Sequence, residues 1–139
     1  MRFFGSKQND RYKSQVYDFL TSLGVKDWAK LQTFFSVNTE LSWGPYIFEG
    51  KEKILNWAKE LLELFPTIGF QEKALEIHGN TVKHEFIIVF ITSNGQKGLL
   101  PCIGIYTFKE GLIDNLKITL LPGVLTVDGK DLEKIKSAT

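Results

Sequence analysis

The sequence predicts an α+β domain in which three N-terminal helices pack on one face of a curved, mainly antiparallel sheet. In the first half of the chain, apolar residues recur every three or four positions, as they do along the buried face of a helix. In the second half, period-two alternation is interrupted by turns that contain glycine, as expected for strands joined by hairpins. Helices followed by a meander of strands favour a layered fold with one core.

The first half contains the three predicted helices and one strand. The apolar face of the first helix is formed by Val16, Phe19, Leu20 and Leu23, and Gly24 ends it. Asp27 is placed to cap the second helix, whose core-facing residues are Trp28, Leu31, Phe34 and Phe35. A strand follows in which Val37, Thr39, Leu41 and Trp43 share one face, and Gly44-Pro45 ends it. The third helix runs from about Lys51 to Phe65 and stops at Pro66.

The second half contains four predicted strands. They run from Ile68 to His78, with a bulge near Lys73-Ala74, from Thr81 to Ser93, from Gln96 to Phe108, and from Leu112 to Leu121. Asn94-Gly95 predicts a two-residue hairpin loop, and Lys109-Glu110-Gly111 predicts a three-residue loop with glycine in the left-handed position. Pro101 predicts a bulge or an unpaired edge in its strand, because proline cannot donate to a ladder.

Length and composition indicate a single domain over residues 1–139, with a core from about 10 to 122 and a C-terminal tail. Seventeen basic residues balance sixteen acidic ones, so the sequence does not predict binding to nucleic acid or to a membrane. The single cysteine, Cys102, has no partner for an internal disulfide, and the N-terminus has no apolar run of the signal-peptide type. We therefore expect a cytoplasmic protein.

Four segments carry a resemblance to a known family. They are Lys26-Asp27-Trp28 at the start of the second helix, Glu49-Gly50 before the third, Gly79-Asn80-Thr81-Val82 at the start of the long strand, and Ile105 to Ile113 near the end. In this order, from about Asp10 to Pro122, the chain resembles the nuclear-transport-factor-2-like superfamily, which includes ketosteroid isomerase and the SnoaL-like polyketide cyclases. The resemblance implies a conical fold of the cystatin-like type with a pocket between the helices and the sheet, and it implies dimers formed through the sheet.

The predicted loops assign the residues of the sheet to two faces. The two-residue loop at Asn94-Gly95 places Ile87 opposite Cys102 and Glu85 opposite Gly104. The helix-facing side would then enclose a pocket lined by Phe19, Trp43, Trp57, Ile87, Val89, Cys102, Tyr106, Leu116 and Ile118. An apolar pocket of this kind suits a small, mostly apolar molecule, although a filled core explains the same pattern. An error of one residue in either loop would reverse the faces.

The stretch from Phe86 to Ile91 is apolar on both faces, which one layer of helices cannot cover. We therefore predict a homodimer through the outer face, with an interface formed by Phe86, Ile88, Phe90, Ile103 and Ile105. The alternative is that the C-terminal tail folds over this face.

Glu85 is the catalytic candidate, because a carboxyl group among apolar side chains has a raised pKa useful for acid–base chemistry. A structural pairing with Lys83 or Tyr106 is the simpler interpretation of the same residue. The positions that correspond to the base, the tyrosine and the second aspartate of ketosteroid isomerase are Trp43 or Ser42, Phe19 and Gly104, so those catalytic groups are absent.

The remaining candidates are weaker. His78 is expected at a solvated strand end, and His84 is expected on the outer face. Cys102 lacks an adjacent base, and no metal site or cofactor motif is predicted. The sequence therefore predicts a dimeric domain that binds a small ligand, with isomerase, cyclase or hydrolase chemistry left open. The alternative is a non-catalytic protein-association module with a closed cavity.

Overall fold

The computed structural model describes residues 2–121, with side chains from residue 7 onward. The elements are α1 (Arg2–Gly24), α2 (Trp28–Gln32), β1 (Phe35–Trp43), β2 (Tyr46–Glu49), α3 (Lys51–Leu64), β3 (Thr67–His78), β4 (Thr81–Ile91), β5 (Lys97–Lys109) and β6 (Leu112–Leu120). The predicted C-terminal tail lies outside the described residues. Within residues 2–121, no helix is both long enough and apolar enough to cross a membrane.

Helices α1 and α3 and the cap of α2 follow the predictions from sequence. The Asp27 side chain accepts a hydrogen bond from the Lys30 backbone N–H at 3.1 Å, as expected at a helix N-terminus. Helix α2 is shorter than predicted, so Phe34 and Phe35 follow the helix although both side chains are buried in the core. Helix α3 buries the predicted stripe of Ile54, Trp57, Ala58 and Leu61.

The sheet has six strands in the order β2-β1-β6-β5-β4-β3. Strand β2 was not predicted; it pairs with β1 through the turn at Gly44-Pro45, which the sequence indicated only as the end of a strand. Strand β1 also pairs with β6 in parallel, and all other neighbours are antiparallel. The predicted α+β architecture with N-terminal helices on a curved, mainly antiparallel sheet is confirmed.

Irregularities in the sheet occur at some predicted positions and not at others. The bulge predicted in β3 is present between Glu72 and Ala74. Pro101 pairs with Ile87 without a shift in register, so the predicted bulge is absent; the β5–β6 register ends at Cys102, which leaves Pro101 without a paired residue on β6, as the alternative of an unpaired edge predicts. A shift in the pairing of β1 with β6 leaves Val37 74% exposed, so it does not share the buried face of Leu41.

The predicted register of the β4–β5 hairpin is wrong by one residue. Cys102 lies opposite Phe86, not opposite Ile87, and Gly104 lies opposite His84, not opposite Glu85. The loop between the strands contains Ser93, Asn94 and Gly95: the backbone N–H of Thr92 bonds to the carbonyl of Gln96 at 2.8 Å, and Gly95 has φ of 86°. Because side chains alternate along a strand, one extra loop residue reverses the face of every β4 residue relative to β5.

The core therefore lies on the side of β4 that was predicted to face away from the helices. Phe86, Ile88 and Phe90 are 2%, 3% and 0% exposed on the side covered by the helices, so they cannot form the predicted dimer interface. Ile103 and Ile105 do lie on the outer face, where Ile105 is exposed and Ile103 is half-buried.

Candidate functional site

Seven of the predicted pocket residues lie together on the helix-facing side of the sheet, and all are buried: Phe19, Trp43, Trp57, Cys102, Tyr106, Leu116 and Ile118. Strands β1, β6 and β5 bring four of them into register, since Trp43 pairs with Ile118 and Leu116 pairs with Tyr106. Helices α1 and α3 supply Phe19 and Trp57 from above. We call this set the interior cluster.

Two indole rings meet at one side of the interior cluster. The rings of Trp43 and Trp57 lie with their centroids 5.5 Å apart and are inclined by 55°. Both side chains are almost fully buried, and in the described part of the chain no hydrogen-bond acceptor reaches either Nε1 atom. A buried N–H group without an acceptor costs about 1–3 kcal/mol, so a pair of them needs an explanation.

Tyr106 contributes a third polar group without a partner. Its ring leans over the backbone of Gly104, where an added Cβ would lie 3.2 Å from the tyrosine Cε1 atom. Its edge-to-face partner is Phe19, at 6.0 Å between centroids. Among residues 7–121, no hydrogen-bond partner reaches the Tyr106 hydroxyl group. Burial raises the pKa of this phenol, and the neighbouring Cys102 raises it further, so the group stays protonated and able to donate.

Cys102 is a poor nucleophile in this setting. Its Sγ atom donates to the Leu100 carbonyl at 3.4 Å, and burial raises the pKa of the thiol to about 12. The interior cluster therefore presents two indole donors and one phenol in an otherwise apolar environment.

The structure places the other predicted site residues on the outer face of the sheet. Glu85 lies opposite Ile103 with 45% of its side chain exposed, and its carboxylate is 3.9 Å from the Lys83 ammonium group. Ile87 and Val89 follow it on the same face, where Val89 is 39% exposed. The predicted placement of these three residues in the pocket is wrong, because it depended on the two-residue loop. Without burial, Glu85 loses the physical reason for acting as an acid or base.

Sequence reasoning missed a second cluster, formed by Tyr17, Glu72 and His84. His84 was assigned to the outer face by the register error, yet it is 1% exposed on the helix side. Its Nε2 atom lies 3.9 Å from a Glu72 carboxylate oxygen, and the same carboxylate accepts a short hydrogen bond from the Tyr17 hydroxyl. Lys83 and Glu85, which flank His84, were the overlooked signal, since two charges at period two indicate the face that meets water.

His78, in contrast, is a surface residue. Its side chain is 77% exposed and lies 3.6 Å from the Glu76 carboxylate. Among residues 7–121, no group of three histidine, cysteine, aspartate or glutamate side chains is arranged to hold a metal ion.

No family model matches the sequence, and no curated protein is significantly similar to it. Solved structures are similar in fold. A hexachlorocyclohexane dehydrochlorinase superposes with a TM-score of 0.70 at 14% identity, over 92% of this chain and 98% of that one. An LEH-like epoxide hydrolase of M. tuberculosis has a TM-score of 0.68 at 14% identity, over 88% of this chain and 86% of that one.

A nuclear-transport-factor-2-like protein of unknown function from Cytophaga hutchinsonii has a TM-score of 0.63 at 14% identity, over 78% of this chain and 97% of that one. The fold is nuclear-transport-factor-2-like. The resemblance stated from sequence is thus confirmed at the level of the fold. At sequence identities this low, the roles of residues cannot be transferred from these proteins to this chain. Function must therefore be inferred from the interior cluster itself.

Proposed function

We propose that this domain binds a small, mostly apolar molecule in the interior cluster through a hydrogen-bond acceptor on the ligand. The supporting observation is the set of unpartnered buried donors: Trp43 Nε1, Trp57 Nε1 and the Tyr106 hydroxyl group. Carbonyl compounds and epoxides combine an oxygen acceptor with an apolar body, and they fit this donor set. Proteins of similar fold include a dehydrochlorinase and an epoxide hydrolase, and this supports a function that involves a small molecule.

The three tryptophans provide a direct test by nuclear magnetic resonance. A titration with small cyclic ketones and epoxides should shift the indole N–H signals of Trp43 and Trp57 saturably. The half-buried Trp28 on α2 lies outside the interior cluster and is the internal reference. Equal shifts at all three indoles, or no saturable shift with any compound, would overturn the proposal.

Tyr106→Phe separates ligand binding from core packing. The substitution removes a buried hydroxyl group that lacks a partner, so the free energy of unfolding without ligand should stay the same or rise. Ligand affinity should fall about tenfold through the lost donor. A substantial loss of stability in the absence of ligand would show that the hydroxyl group serves the core instead.

We also propose that the outer face of the sheet pairs with a second copy of this chain. Val89 and Leu99 lie opposite each other and are both 39% exposed, and Ile105 on the same face is 37% exposed. Ile87 and Ile103 are half-buried among them, so the patch is continuous over β4 and β5. The ion pair of Lys83 with Glu85 at one edge offers both charge signs to a two-fold related copy.

Light scattering coupled to size-exclusion chromatography tests this pairing. The wild type should elute as a dimer, and Leu99→Lys should elute as a folded monomer. Ile47→Lys is the control, because Ile47 is an exposed apolar residue on the edge strand β2, away from the patch. A monomeric wild type would overturn the dimer, and so would equal disruption by both substitutions.

A further inference from the structure

A notch opens between α1 and the β3–β4 pair, on a part of the sheet separate from the indole pair. It is lined by Tyr17, Leu20, Thr21, Phe70, Glu72 and His84 and has a volume of about 340 Å³. Leu20 and Phe70 supply apolar walls. The interior cluster has no residue in common with this lining, so the notch is a separate candidate site.

His84 is the residue of the notch that most needs a partner. It is 1% exposed, and within residues 7–121 neither ring nitrogen has a hydrogen bond. The ring stacks on Phe86 at 5.0 Å and meets the edge of Tyr17 at 6.0 Å. Burial lowers the pKa of His84, while the nearby Glu72 charge acts in the opposite direction. A neutral imidazole keeps one lone pair that can accept a hydrogen bond.

Glu72 gives the notch a negative charge. Glu72 pairs with Phe86 and so lies on the helix-facing side of β3, where its carboxylate comes within 3.9 Å of His84. The Tyr17 hydroxyl donates to it, and burial followed by this hydrogen bond raises the pKa of Tyr17 to about 12. A carboxylate has room for further donors, so a ligand can bind to it without displacing Tyr17.

The surrounding charges favour a cation over an anion. Of the six residues that line the notch, Glu72 alone carries a formal charge. On α1, the Lys13 ammonium lies 5.9 Å from the centre of the Tyr17 ring. On β4, Lys83 and Glu85 flank His84 and project from the opposite face, where they pair with each other. Aromatic ring faces, a carboxylate and a neutral imidazole are all attractive to an ammonium group.

We propose that the notch binds a small alkylammonium ion, with the ammonium group donating to Glu72 and to the unpartnered His84 nitrogen and the alkyl group against Leu20 and Phe70. This proposal is independent of the proposed ligand of the interior cluster. It assigns a function to a buried histidine that has no hydrogen bond to any residue from 7 to 121.

The two histidines of the chain make the test specific. Propylammonium chloride is titrated into the wild-type protein while the imidazole nitrogen signals of both histidines are followed. The His84 signals should shift saturably, and those of the exposed His78, which has its own glutamate neighbour, should not. Propanol and propionate are the neutral and anionic controls, and each should bind at least about tenfold more weakly because it lacks the charge-assisted hydrogen bond.

Glu72→Gln is the decisive variant, since it keeps the size of a partly exposed side chain and removes its charge. It should weaken propylammonium binding about tenfold or more. Glu76→Gln, on the same strand and beside His78, should leave the affinity unchanged. Equal shifts at His78 and His84, binding of propionate as tight as that of propylammonium, or unchanged affinity in Glu72→Gln would each overturn the proposal.

Discussion

The two hairpins that share β5 differ in a way that decides the faces of the sheet. The β4–β5 loop contains Ser93, Asn94 and Gly95, whereas the β5–β6 loop consists of Glu110 and Gly111, with φ of 54° and 79°. The sequence predicted the opposite lengths, two residues and then three. The first error reversed the face of every residue in β4, while the second left the faces of β6 unchanged.

The second error was harmless because a bulge compensates for it. The pairing of β5 with β6 shifts between Thr107 and Phe108, so Asp114 is the extra residue on β6. Tyr106 consequently pairs with Leu116 instead of the predicted Asp114, a change of two residues. A change of two keeps the face, whereas a change of one reverses it. An assignment of faces therefore depends on whether the register error is even or odd, and its size matters less.

The largest expected effect tests the face of β4 directly. Phe86→Ala should lower the free energy of unfolding by about 3–5 kcal/mol, because the ring is 2% exposed among the helices. Its neighbour on the other face, Glu85→Ala, should change stability by no more than about 0.5 kcal/mol. Urea unfolding of both variants measures the difference, and similar losses for the two would contradict the observed register.

The next effect tests the contact that the three-residue loop creates between β4 and β5. Gly98 lies opposite Phe90, and a Cβ added to it would be 2.5 Å from the Cζ atom of that ring. Gly98→Ala should therefore destabilise the protein by about 1–3 kcal/mol through overpacking. Gly69→Ala is the matched strand control, since its nearest neighbour would be 4.0 Å away. A thermal unfolding series in which both glycines tolerate alanine would refute this contact.

A smaller effect tests the other hairpin. Glu110 has a left-handed backbone conformation, which is unfavourable for most residues and natural for glycine. Glu110→Gly should raise the free energy of unfolding by up to about 1 kcal/mol, whereas Glu110→Ala removes the same charge and should bring no gain. Chemical unfolding distinguishes the two variants. A gain for alanine equal to that for glycine would assign the effect to charge.

The smallest effect depends on pH and follows from the inward position of His84. Because burial lowers its pKa in the folded state, the unfolded chain takes up a proton that the folded chain resists. Stability should thus be at its plateau above the ordinary histidine pKa of about 6.5 and should fall as the pH decreases through and below that value. The free energy of unfolding should depend less steeply on pH in His84→Leu than in the wild type. In the exposed His78→Gln variant its pH dependence should be unchanged. The reverse result would place His84 at the surface.

Much of the fold could be predicted because its signals are local. The Asp27 cap, the apolar stripe of α3 and the bulge near Lys73 each depend on residues a few positions apart. The interior cluster was partly predicted as well, since Trp43 and Leu116 lie on strands whose alternate positions hold polar or charged residues. Strand β2 was missed because four residues beside a glycine turn carry too little pattern.

The faces of β4 could not be read from its centre, because the run from Phe86 to Ile91 is apolar at every position and fits either orientation. The cluster of Tyr17, Glu72 and His84 was missed with it, although Lys83 and Glu85 at the start of β4 indicate that His84 lies on the face away from water. It joins α1, a bulged edge strand and β4, and it exists only if the His84 side of β4 meets the helix.

The order of the helices and of the five longer strands, the limits of α3 and the choice of an α+β layer fold were determined by the sequence, through capping, periodicity and turn residues that act over short distances. Tertiary structure alone decided which side of the central hairpin the helices cover, and with it which polar side chains are buried without partners. The physical reason is that side chains alternate with a period of two. The composition of the chain does not reveal one additional loop residue, yet that residue moves every side chain of the adjoining strand to the opposite face of the sheet.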